Sequence, residues 1–378
     1  MNRALNFRFA IVSDLHIALP HTIWDSPKRF HLVEVSIPAF EQILAQLEQQ
    51  GLDFLLLPGD LVQHGERDNH QWLVERLARL PFPTYVVPGN HDVLMRQGKR
   101  LVDHTGVRET VSLHEFTELY QPFGYHTPNQ PYYHHEILDG VHLIGLNSNA
   151  FDEAGEQHYT GWLDDAQLSW LDTQLDRLAG EFILVMLHHN ALEHLPGQSR
   201  SNVGRRYMVK NARALTDRLK AADVPLMFTG HIHIQDIVRS GSLTEITTGS
   251  LVSYPHPYRT LALSTDAQGQ YRLQVESHQI EAVPDFPALQ DHSHQWMGER
   301  SLPFMERLLT DPPLKLGQAE ARQYAPVLRN FWSAIAAGDA LFDYAELPDP
   351  LRRHFRRFSA LGPDGQPHLI DNAVVLTL

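Results

Sequence analysis

The stretch FLLLPGDLVQHGE, residues 54–66, decides the fold of this chain. Its first four residues, Phe54–Leu57, are all apolar, which is typical of a strand buried on both faces of a sheet. The apolar run ends in Gly59 and Asp60, and the carboxyl ends of strands are where open α/β sheets bind ligands. The stretch therefore predicts a parallel sheet with a functional carboxylate at one edge.

The segments on either side of this strand alternate between strand and helix patterns. Phe9–Val12 and Thr84–Val87 are short apolar runs that predict strands. The apolar residues of Ile37–Gln50 recur at helical spacing, and a second helix is predicted at Trp72–Leu80. This order of strand, helix, strand, helix and strand favours parallel pairing with right-handed crossovers.

Alternating elements continue to about residue 282. A hairpin turning at Asp139-Gly140 is predicted over His134–Leu146. The other predicted elements are helices at Asp164–Leu178 and Asn211–Ala221 and strands at Phe182–Leu187, Pro225–Phe228, Gln235–Val238, Thr244–Thr247, Thr260–Ser264 and Tyr271–Glu276. Prolines and the DHSHQW segment then interrupt the pattern, before helices near Pro303–Leu309, Val327–Ala337 and Pro350–Ala360. We predict one domain at residues 1–282 and a mainly helical C-terminal extension at 283–378.

Composition limits the class of protein. The 378 residues, 43% hydrophobic and 20% charged, suit a globular domain with an appendage. Cysteine is absent, so disulfides and cysteine-based zinc sites are excluded, and metal ligands have to be His, Asp, Glu or Asn. The net charge of −14 argues against a nucleic-acid partner. The N-terminal apolar run is too short for a signal peptide and no segment approaches a membrane span, so we expect a cytoplasmic protein without membrane contact.

Potential metal ligands follow five of the predicted strands. These groups are Asp14-Leu15-His16, Gly59-Asp60, Gly89-Asn90-His91-Asp92, His188-His189 and Gly230-His231-Ile232-His233. Side-chain direction alternates along an extended segment, so the two ligands of an Asp-x-His or His-x-His pair point to the same side. Each group alone could be a chance pair or an ordinary turn. Five such groups in order at strand ends favour one shared metal site.

This ordered set of D-x-H, GD, GNHD, H and GHxH resembles the signature of the calcineurin-like metallophosphoesterases, over about residues 9–275. The compact segment after Asp60 and the double histidine His188-His189 are most similar to the branch of class III cyclic-nucleotide phosphodiesterases and glycerophosphodiesterases. The resemblance implies an α/β fold, a four-layer α/β/β/α sandwich, with a dinuclear metal centre between the strand ends.

The resemblance also implies a role for each matched residue. One metal would be held by Asp14, His16 and His233, the other by Asn90, His188 and His231, and Asp60 would bridge them. His91 would stay unligated and act with Asp60 in catalysis, while the substrate would be contacted by Asn90, His91 and His189. This ligand set suits two divalent ions such as Mn, Fe, Co or Zn. Such a pair lowers the pKa of a bridging water, whose hydroxide would attack phosphorus.

The sequence departs from the family pattern at some positions. Gln63 stands where relatives often carry an Asp or Asn that orients the catalytic histidine, and Asn147 stands where many have Asp. Other residues near the motifs could line a substrate pocket, namely Arg29, His64, Tyr254 and His256.

The leading prediction is an enzyme that hydrolyses a small phosphodiester of the cyclic-nucleotide or glycerophosphodiester class. The alternative is a phosphomonoesterase on the same site, where Arg29 could neutralise the extra charge of a monoester. A non-catalytic scaffold is disfavoured because no matched ligand is missing, and a nuclease by the net charge and the lack of a basic stripe. The extension, with Phe331 and Trp332, could cap the site, form a homo-oligomer or pack on the sandwich.

Overall fold

Two six-stranded sheets form the centre of the molecule, of which the computed structural model describes residues 3–24, 29–103 and 106–378. The first sheet contains β1 (Asn6–Ile11), β2 (Phe54–Leu57), β3 (Thr84–Val86), β12 (Pro257–Thr265), β13 (Tyr271–Gln279) and β14 (Ala373–Thr377). The second contains β6 (Tyr133–Leu138), β7 (Val141–Gly145), β8 (Phe182–Met186), β9 (Leu226–Thr229), β10 (Asp236–Ser240) and β11 (Leu243–Thr247). A separate ribbon pairs β4 (Arg100–Asp103) with β5 (Gly106–Glu109).

The strand order brings the predicted ligand segments to one region. The first sheet runs β14-β13-β12-β1-β2-β3, and β1, β2 and β3 are parallel neighbours. The second runs β10-β11-β9-β8-β7-β6, in which β7, β8, β9 and β11 are parallel. Strands β1, β2, β8 and β9 are central, and each ends in a predicted ligand segment.

The helices of the sandwich cover the outer faces of the sheets. They are α1 (Ser36–Leu47), α2 (Arg67–Leu77), α3 (Leu113–Leu119), α4 (Asp165–Arg177) and α5 (Ala212–Ala221). Helices α1 and α2 contribute to the core of the first sheet, whereas Leu171 of α4 and Leu215 of α5 pack on the second. No helix within the described ranges combines the length and the apolar character needed to cross a bilayer.

Aromatic side chains join the inner faces of the two sheets. The ring centroids of Phe9 on β1 and Phe228 on β9 lie 5.5 Å apart, and those of Phe7 and Phe182 lie 6.3 Å apart. Complete burial of a Phe side chain contributes about 1.5–3 kcal/mol, and Phe9 is fully buried. Sheets packed on each other and covered by helices confirm the predicted α/β/β/α sandwich.

The C-terminal extension builds a core of its own beside the metal-ligand segments. It contains α6 (Leu289–Thr310), α7 (Gln318–Tyr324), α8 (Phe331–Ala337) and α9 (Asp349–Arg356). This core also includes Ile232 and Ile234, which alternate with the predicted ligands His231 and His233. The extension therefore anchors one face of the segment whose other residues are predicted to bind metal.

The structure corrects several predicted elements. The DHSHQW segment does not interrupt the chain but lies inside α6, which begins fourteen residues before the predicted Pro303. The elements β4, β5, α3, α7 and β14 were not predicted from the sequence. Strand β14 pairs with β13 and so completes the first sheet. The predicted hairpin at Asp139-Gly140 is confirmed by the antiparallel pairing of β6 and β7.

Candidate metal centre

Strained backbone marks the loops that carry the predicted ligands. Asp14, His16, Asp60, His231 and His233 all have φ between 43° and 67°. Residues with a side chain rarely adopt this left-handed region, because it costs energy, and such residues cluster at functional sites. The loops after three strands, β1, β2 and β9, therefore hold these side chains in conformations that local sequence preference does not favour.

The first group of potential ligands consists of Asp14, His16, Asp60 and His233, whose candidate ligand atoms lie within 4.8 Å of one another. His233 Nε2 is 3.1 Å from Asp14 Oδ1, and His16 Nε2 is 3.7 Å from Asp60 Oδ2. The carboxylate of Asp14 also accepts hydrogen bonds from Ser13 Oγ and from the backbone N–H of His231. These bonds fix its orientation toward the group.

The second group consists of Asp60, His188 and His231. His188 Nε2 lies 3.3 Å from Asp60 Oδ2 and 3.1 Å from Asn90 Oδ1. The other ring nitrogen of His188, Nδ1, donates to the carbonyl oxygen of Pro58 at 2.8 Å. This bond fixes the tautomer and directs Nε2 toward Asp60 and Asn90, as the outer partners of metal-binding histidines do.

Asp60 belongs to both groups and is almost completely buried. Its Oδ1 accepts the backbone N–H of His91 at 2.7 Å, while Oδ2 is the oxygen nearest to His16 and His188. Burial raises the pKa of Asp60, but the nearby His188 and His91 lower it by more. The pKa of this carboxyl therefore lies well below its usual value. The carboxylate is therefore ionised and faces potential ligands from both groups.

The donor set fits divalent cations. Both ring nitrogens of His16 are buried and lack a hydrogen-bond partner, and burial followed by neighbouring histidines holds its pKa well below normal. Burial likewise lowers the pKa of His231. Burial lowers the pKa of His188 as well, but the Asp60 carboxylate outweighs it and raises the pKa to about 9, so this position favours positive charge. Imidazole nitrogens around a buried carboxylate are the ligands that metals such as Mn, Fe, Co and Zn accept, and a bound cation would take the place of the proton on His188.

Two glycines allow the ligand loops to approach closely. A Cβ atom on Gly59, whose φ is +92°, would lie 2.6 Å from His188 Nδ1. A Cβ on Gly89 would overlap the backbone nitrogen of Asp60. The glycines of the GD and GNHD motifs are therefore required by the packing of one loop on the next.

Asp92, the last residue of GNHD, holds two of these loops together. Its buried carboxylate accepts the backbone N–H of Gly89 at 2.7 Å and that of Val62 at 2.9 Å. The turn that presents Asn90 and His91 is thereby tied to the segment after Asp60. Asp92 thus positions ligands and is not one of them in the described groups.

His91 is oriented by a backbone carbonyl. Its Nδ1 lies 2.6 Å from the carbonyl oxygen of Gln63, and because a carbonyl only accepts, Nδ1 carries the proton. Gln63 therefore orients His91 through its backbone carbonyl. The identity of its side chain, where the family pattern often has Asp or Asn, does not affect this contact.

A pocket of about 270 Å³ opens over this centre. From the sandwich it is lined by the predicted residues Asp60, Asn90, His91, His231 and His233, together with Phe30, His31, Arg206 and Tyr207. From the extension it is lined by Arg300, Ser301, Phe304 and Trp332. The C-terminal extension therefore forms one wall of the pocket.

Several residues that the sequence suggested for the pocket lie elsewhere. His189 is buried behind the ligands, where its Nδ1 is 2.8 Å from Ser148 Oγ. His256 is fully buried and bonds to the carbonyl of Leu251, and Tyr254 packs on His294. Arg29 forms an ion pair with Glu34 and does not line the pocket. A role for His189 in substrate binding stays a prediction.

Sequence reasoning missed the other residues of the pocket. His31 forms a further group of potential ligands with His16 and His233, but it belongs to no motif and follows no strand. Trp332 and Arg300 come from distant helices, and their position depends on how the extension packs. Arg206 had a local signal, because it lies in a run of basic residues without acidic neighbours.

Comparisons with known proteins agree with this geometry. The family model for calcineurin-like phosphoesterases matches residues 7–235. A protein of Arcobacter nitrofigilis with the name "probable glycerophosphodiester phosphodiesterase" is 23% identical over 246 residues, 64% of this chain and 77% of the relative. The 3′,5′-cyclic adenosine monophosphate phosphodiesterase of Haemophilus influenzae is 24% identical over 302 residues, 75% of this chain and 96% of the relative.

A solved structure shares the fold. The dimetal phosphatase from Danio rerio superimposes with a TM-score of 0.55 and 16% identity, over 72% of this chain and 96% of that protein. The family model covers more than half of the chain, and the matched region contains all the predicted ligands. The chain belongs to the calcineurin-like phosphoesterase family.

Proposed function

We propose that the chain is a two-metal phosphodiesterase that hydrolyses a small phosphodiester. The observation that carries the proposal is that one buried carboxylate, Asp60, belongs to two separate groups of potential ligands. The names of relatives support the substrate class, since they include glycerophosphodiester and cyclic-nucleotide phosphodiesterases.

Calcineurin-like phosphoesterases use divalent metal ions, and this chain offers ligands for them. In the proposed arrangement one ion would be held by Asp14, His16 and His233 and the other by Asn90, His188 and His231, and Asp60 would serve both. A bound pair of Mn, Fe, Co or Zn ions would supply Lewis-acid charge and a water activated at neutral pH. The residues of the chain provide the orientation and the proton transfers.

His91 is the proposed acid. Its backbone N–H bonds to Asp60 and its Nδ1–H bonds to the carbonyl of Gln63, so the ring is fixed from two sides. The Nε2 atom is then available to donate to the phosphoryl oxygen or to the leaving oxygen of the ester. An imidazole suits this task because it titrates near neutral pH.

The pocket walls hold and shield the ester. Arg206 and Arg300 bring positive charge to the walls, where a phosphate would gain charge-assisted hydrogen bonds. Arg300 is fixed by the ring of Trp296, 3.2 Å from its guanidinium carbon, and by donation to the carbonyl of Arg29. Phe304 and Trp332 add apolar surface that excludes water.

A phosphomonoesterase on the same site is the second candidate. A monoester dianion carries one more charge than a diester, and two arginines line the pocket that could neutralise it. Arg29, which the sequence suggested for this purpose, is instead paired with Glu34. Arg206 and Arg300 thus take over the role that the sequence gave to Arg29.

Hydrolysis of two chromogenic esters separates the candidates. Metal-free protein is reloaded separately with Mn, Fe, Co and Zn, and rates are measured on bis(p-nitrophenyl) phosphate and p-nitrophenyl phosphate. We expect the diester to be preferred and chelation to abolish the reaction. A strong preference for the monoester would overturn the diesterase, and full activity without metal would overturn the metal mechanism.

Two further parts of the proposal concern the setting of the enzyme. We propose a cytoplasmic location, and we propose that any self-association uses the C-terminal helices. The exposed Leu341 and Leu369 lie in the loops on either side of α9 and place apolar surface next to these helices.

A further inference from the structure

A second concavity adjoins the pocket over the metal centre. It measures about 950 Å³ and is lined by cationic, hydroxyl and amide side chains, among them Arg205, Arg206, Lys210, Arg213 and Arg307. We call this surface the basic basin. Arg206 lines both the basin and the pocket over the metal centre, so the two are neighbours.

The charge of the basin is opposite to that of the whole chain. Residues 199–213 contain five Arg or Lys and no Asp or Glu, whereas the chain as a whole has a net charge of −14. A local positive surface of this kind concentrates anions next to it. The chain therefore carries a local basic surface that its net charge of −14 does not reveal, although its sequence was expected to lack a basic stripe.

The cations of the basin are available to a ligand. Arg205 and Lys210 are exposed, and neither has a carboxylate within ion-pair distance among the described residues. Arg213 and Arg307 each have one carboxylate four residues later in the chain, at 3.2 and 3.4 Å. Such exposed pairs contribute little and exchange readily for a phosphate.

The basin also offers aromatic surface. Tyr159 lines it and is 85% exposed, which is unusual for a large ring. Trp162 does not line the basin but adjoins it, since the ring is 40% exposed and its centroid lies 5.9 Å from Nζ of the lining residue Lys210. Exposed rings beside cations can stack on a planar group while the cations bind phosphate.

We propose that the basic basin binds the part of the substrate beyond the scissile ester, and that this part carries a planar ring and a further phosphate. The orientation rests on the proposed phosphodiesterase activity, which places the scissile ester over the metal centre. Arg206 then lies between the reacting phosphate and the second one. The substrate class is thereby narrowed to nucleotide-like diesters with an additional phosphate.

Calorimetric binding of two product-like probes tests this proposal without requiring turnover. The probes are thymidine 5′-monophosphate and thymidine 3′,5′-bisphosphate, which differ by one phosphate. We expect the wild type to bind the bisphosphate about tenfold or more tightly than the monophosphate. The double variant Arg205→Ser with Lys210→Ser should lose this preference, because it removes the two unpaired cations.

A matched control removes the same charge elsewhere. The double variant Arg353→Ser with Arg356→Ser changes two exposed arginines of α9 that line neither concavity. It should keep the wild-type preference. Equal affinity of the wild type for both probes would overturn the proposal. So would an equal loss of the preference for the bisphosphate in the two double variants. A single-stranded oligonucleotide that binds more tightly than the bisphosphate, with a steeper salt dependence, would also overturn it in favour of a nucleic acid.

Hydrolysis of bis(p-nitrophenyl) phosphate keeps the two proposals apart. This diester has no further phosphate, so its rate should be unchanged in both double variants. If the double variant Arg205→Ser with Lys210→Ser loses the preference for the bisphosphate but hydrolyses the diester at the wild-type rate, the result supports the proposed role of the basin. If the wild type fails to hydrolyse the diester but prefers the bisphosphate, the proposed activity fails and the basin remains an anion site.

Discussion

Asp60 combines burial, strained backbone and two sets of neighbours in one residue. Its φ is 51°, and its carboxylate faces His16 on one side and His188 on the other. A left-handed aspartate at 1% exposure would be a costly arrangement for stability alone. A cation bound between the groups would offset this cost, which is why the position is expected to govern metal binding.

Asp60→Asn should therefore remove metal while the fold is kept, because the amide has the same shape but no charge. Metal content should fall from about two ions per chain to below one, and turnover of bis(p-nitrophenyl) phosphate should fall about 10³-fold or more. Mass spectrometry of the metals and circular dichroism check this. The exposed Asp285→Asn is the control, and unchanged metal content in Asp60→Asn would count against the site.

His91→Ala should separate proton transfer from metal binding. The ring holds no position in either ligand group, so metal content should stay at the wild-type level. Turnover should fall by about 10²–10⁴-fold, the usual contribution of a general acid. Exposed His368→Ala should have no effect on the rate. Loss of metal from the His91 variant would show that its role has been misassigned.

At the scale of elements, a buried charge network ties the loop after β8 to β10 and β11. Glu245 of β11 accepts the backbone N–H of Leu192 at 2.6 Å, and its Oε1 lies 3.1 Å from His194 Nε2. His194 Nδ1 bonds to Asp236 of β10 at 2.6 Å. This loop follows His188 directly, so the network supports the second ligand group from behind.

The network predicts a pH dependence of stability. Burial lowers the pKa of His194, but Glu245 and Asp236 outweigh it and raise the pKa to about 10, against about 6.5 in the unfolded chain. Because the folded pKa is raised, the stabilisation is complete below pH 6.5 and is lost as pH rises toward 10. The free energy of unfolding should fall by a few kcal/mol over this window.

Urea unfolding at several pH values, with wild type and His194→Gln side by side, measures this effect. Other groups titrate in the same window, and the difference between the two proteins isolates the histidine. The variant should be less stable at pH 7 and should show a flatter pH profile. Parallel profiles for both proteins would contradict the role given to the charge network.

The elements show which patterns the sequence reveals. Phe54–Leu57 and the spacing of α1 predicted a strand and a helix because burial follows the local period. Helix α6 was placed too short because its buried face alternates apolar residues with Ser293 and Ser301, which conceal the helical period. Strand β14 pairs with β13, which lies about a hundred residues earlier in the chain, and a local sequence pattern cannot predict such a distant pairing.

At the scale of the whole molecule, the extension and the sandwich form one site. Ile232 and Ile234 enter the core of the extension, while His231 and His233 between and beside them face the pocket. The ligand residues could be predicted because they follow strand ends in a recognisable order. Arg300, Phe304 and Trp332 could not, because only the tertiary packing of distant helices brings them to the pocket. The predicted domain boundary at residue 282 therefore stays a proposal about folding units, since residues from both sides of it line the pocket.

Trp332→Ala tests whether the extension shapes the pocket. Trp332 packs against Phe304, with ring centroids 5.6 Å apart, and both line the wall opposite the ligands. Removal of the indole should raise the KM for the diester about tenfold, since about 1–1.5 kcal/mol of apolar contact is lost. The kcat should change little, because the metal ligands are untouched. Trp332→Phe is the conservative control, and an unchanged KM in Trp332→Ala would mean that this wall does not contact the substrate.

Anomalous diffraction from crystals of the Mn²⁺-loaded protein tests the central claim most directly. We predict two peaks about 3.5–4 Å apart, one beside Asp14, His16 and His233 and one beside Asn90, His188 and His231. The carboxylate of Asp60 should lie between them. A map from Mn²⁺-saturated crystals with a single peak, or with none at Asp60, would contradict the account.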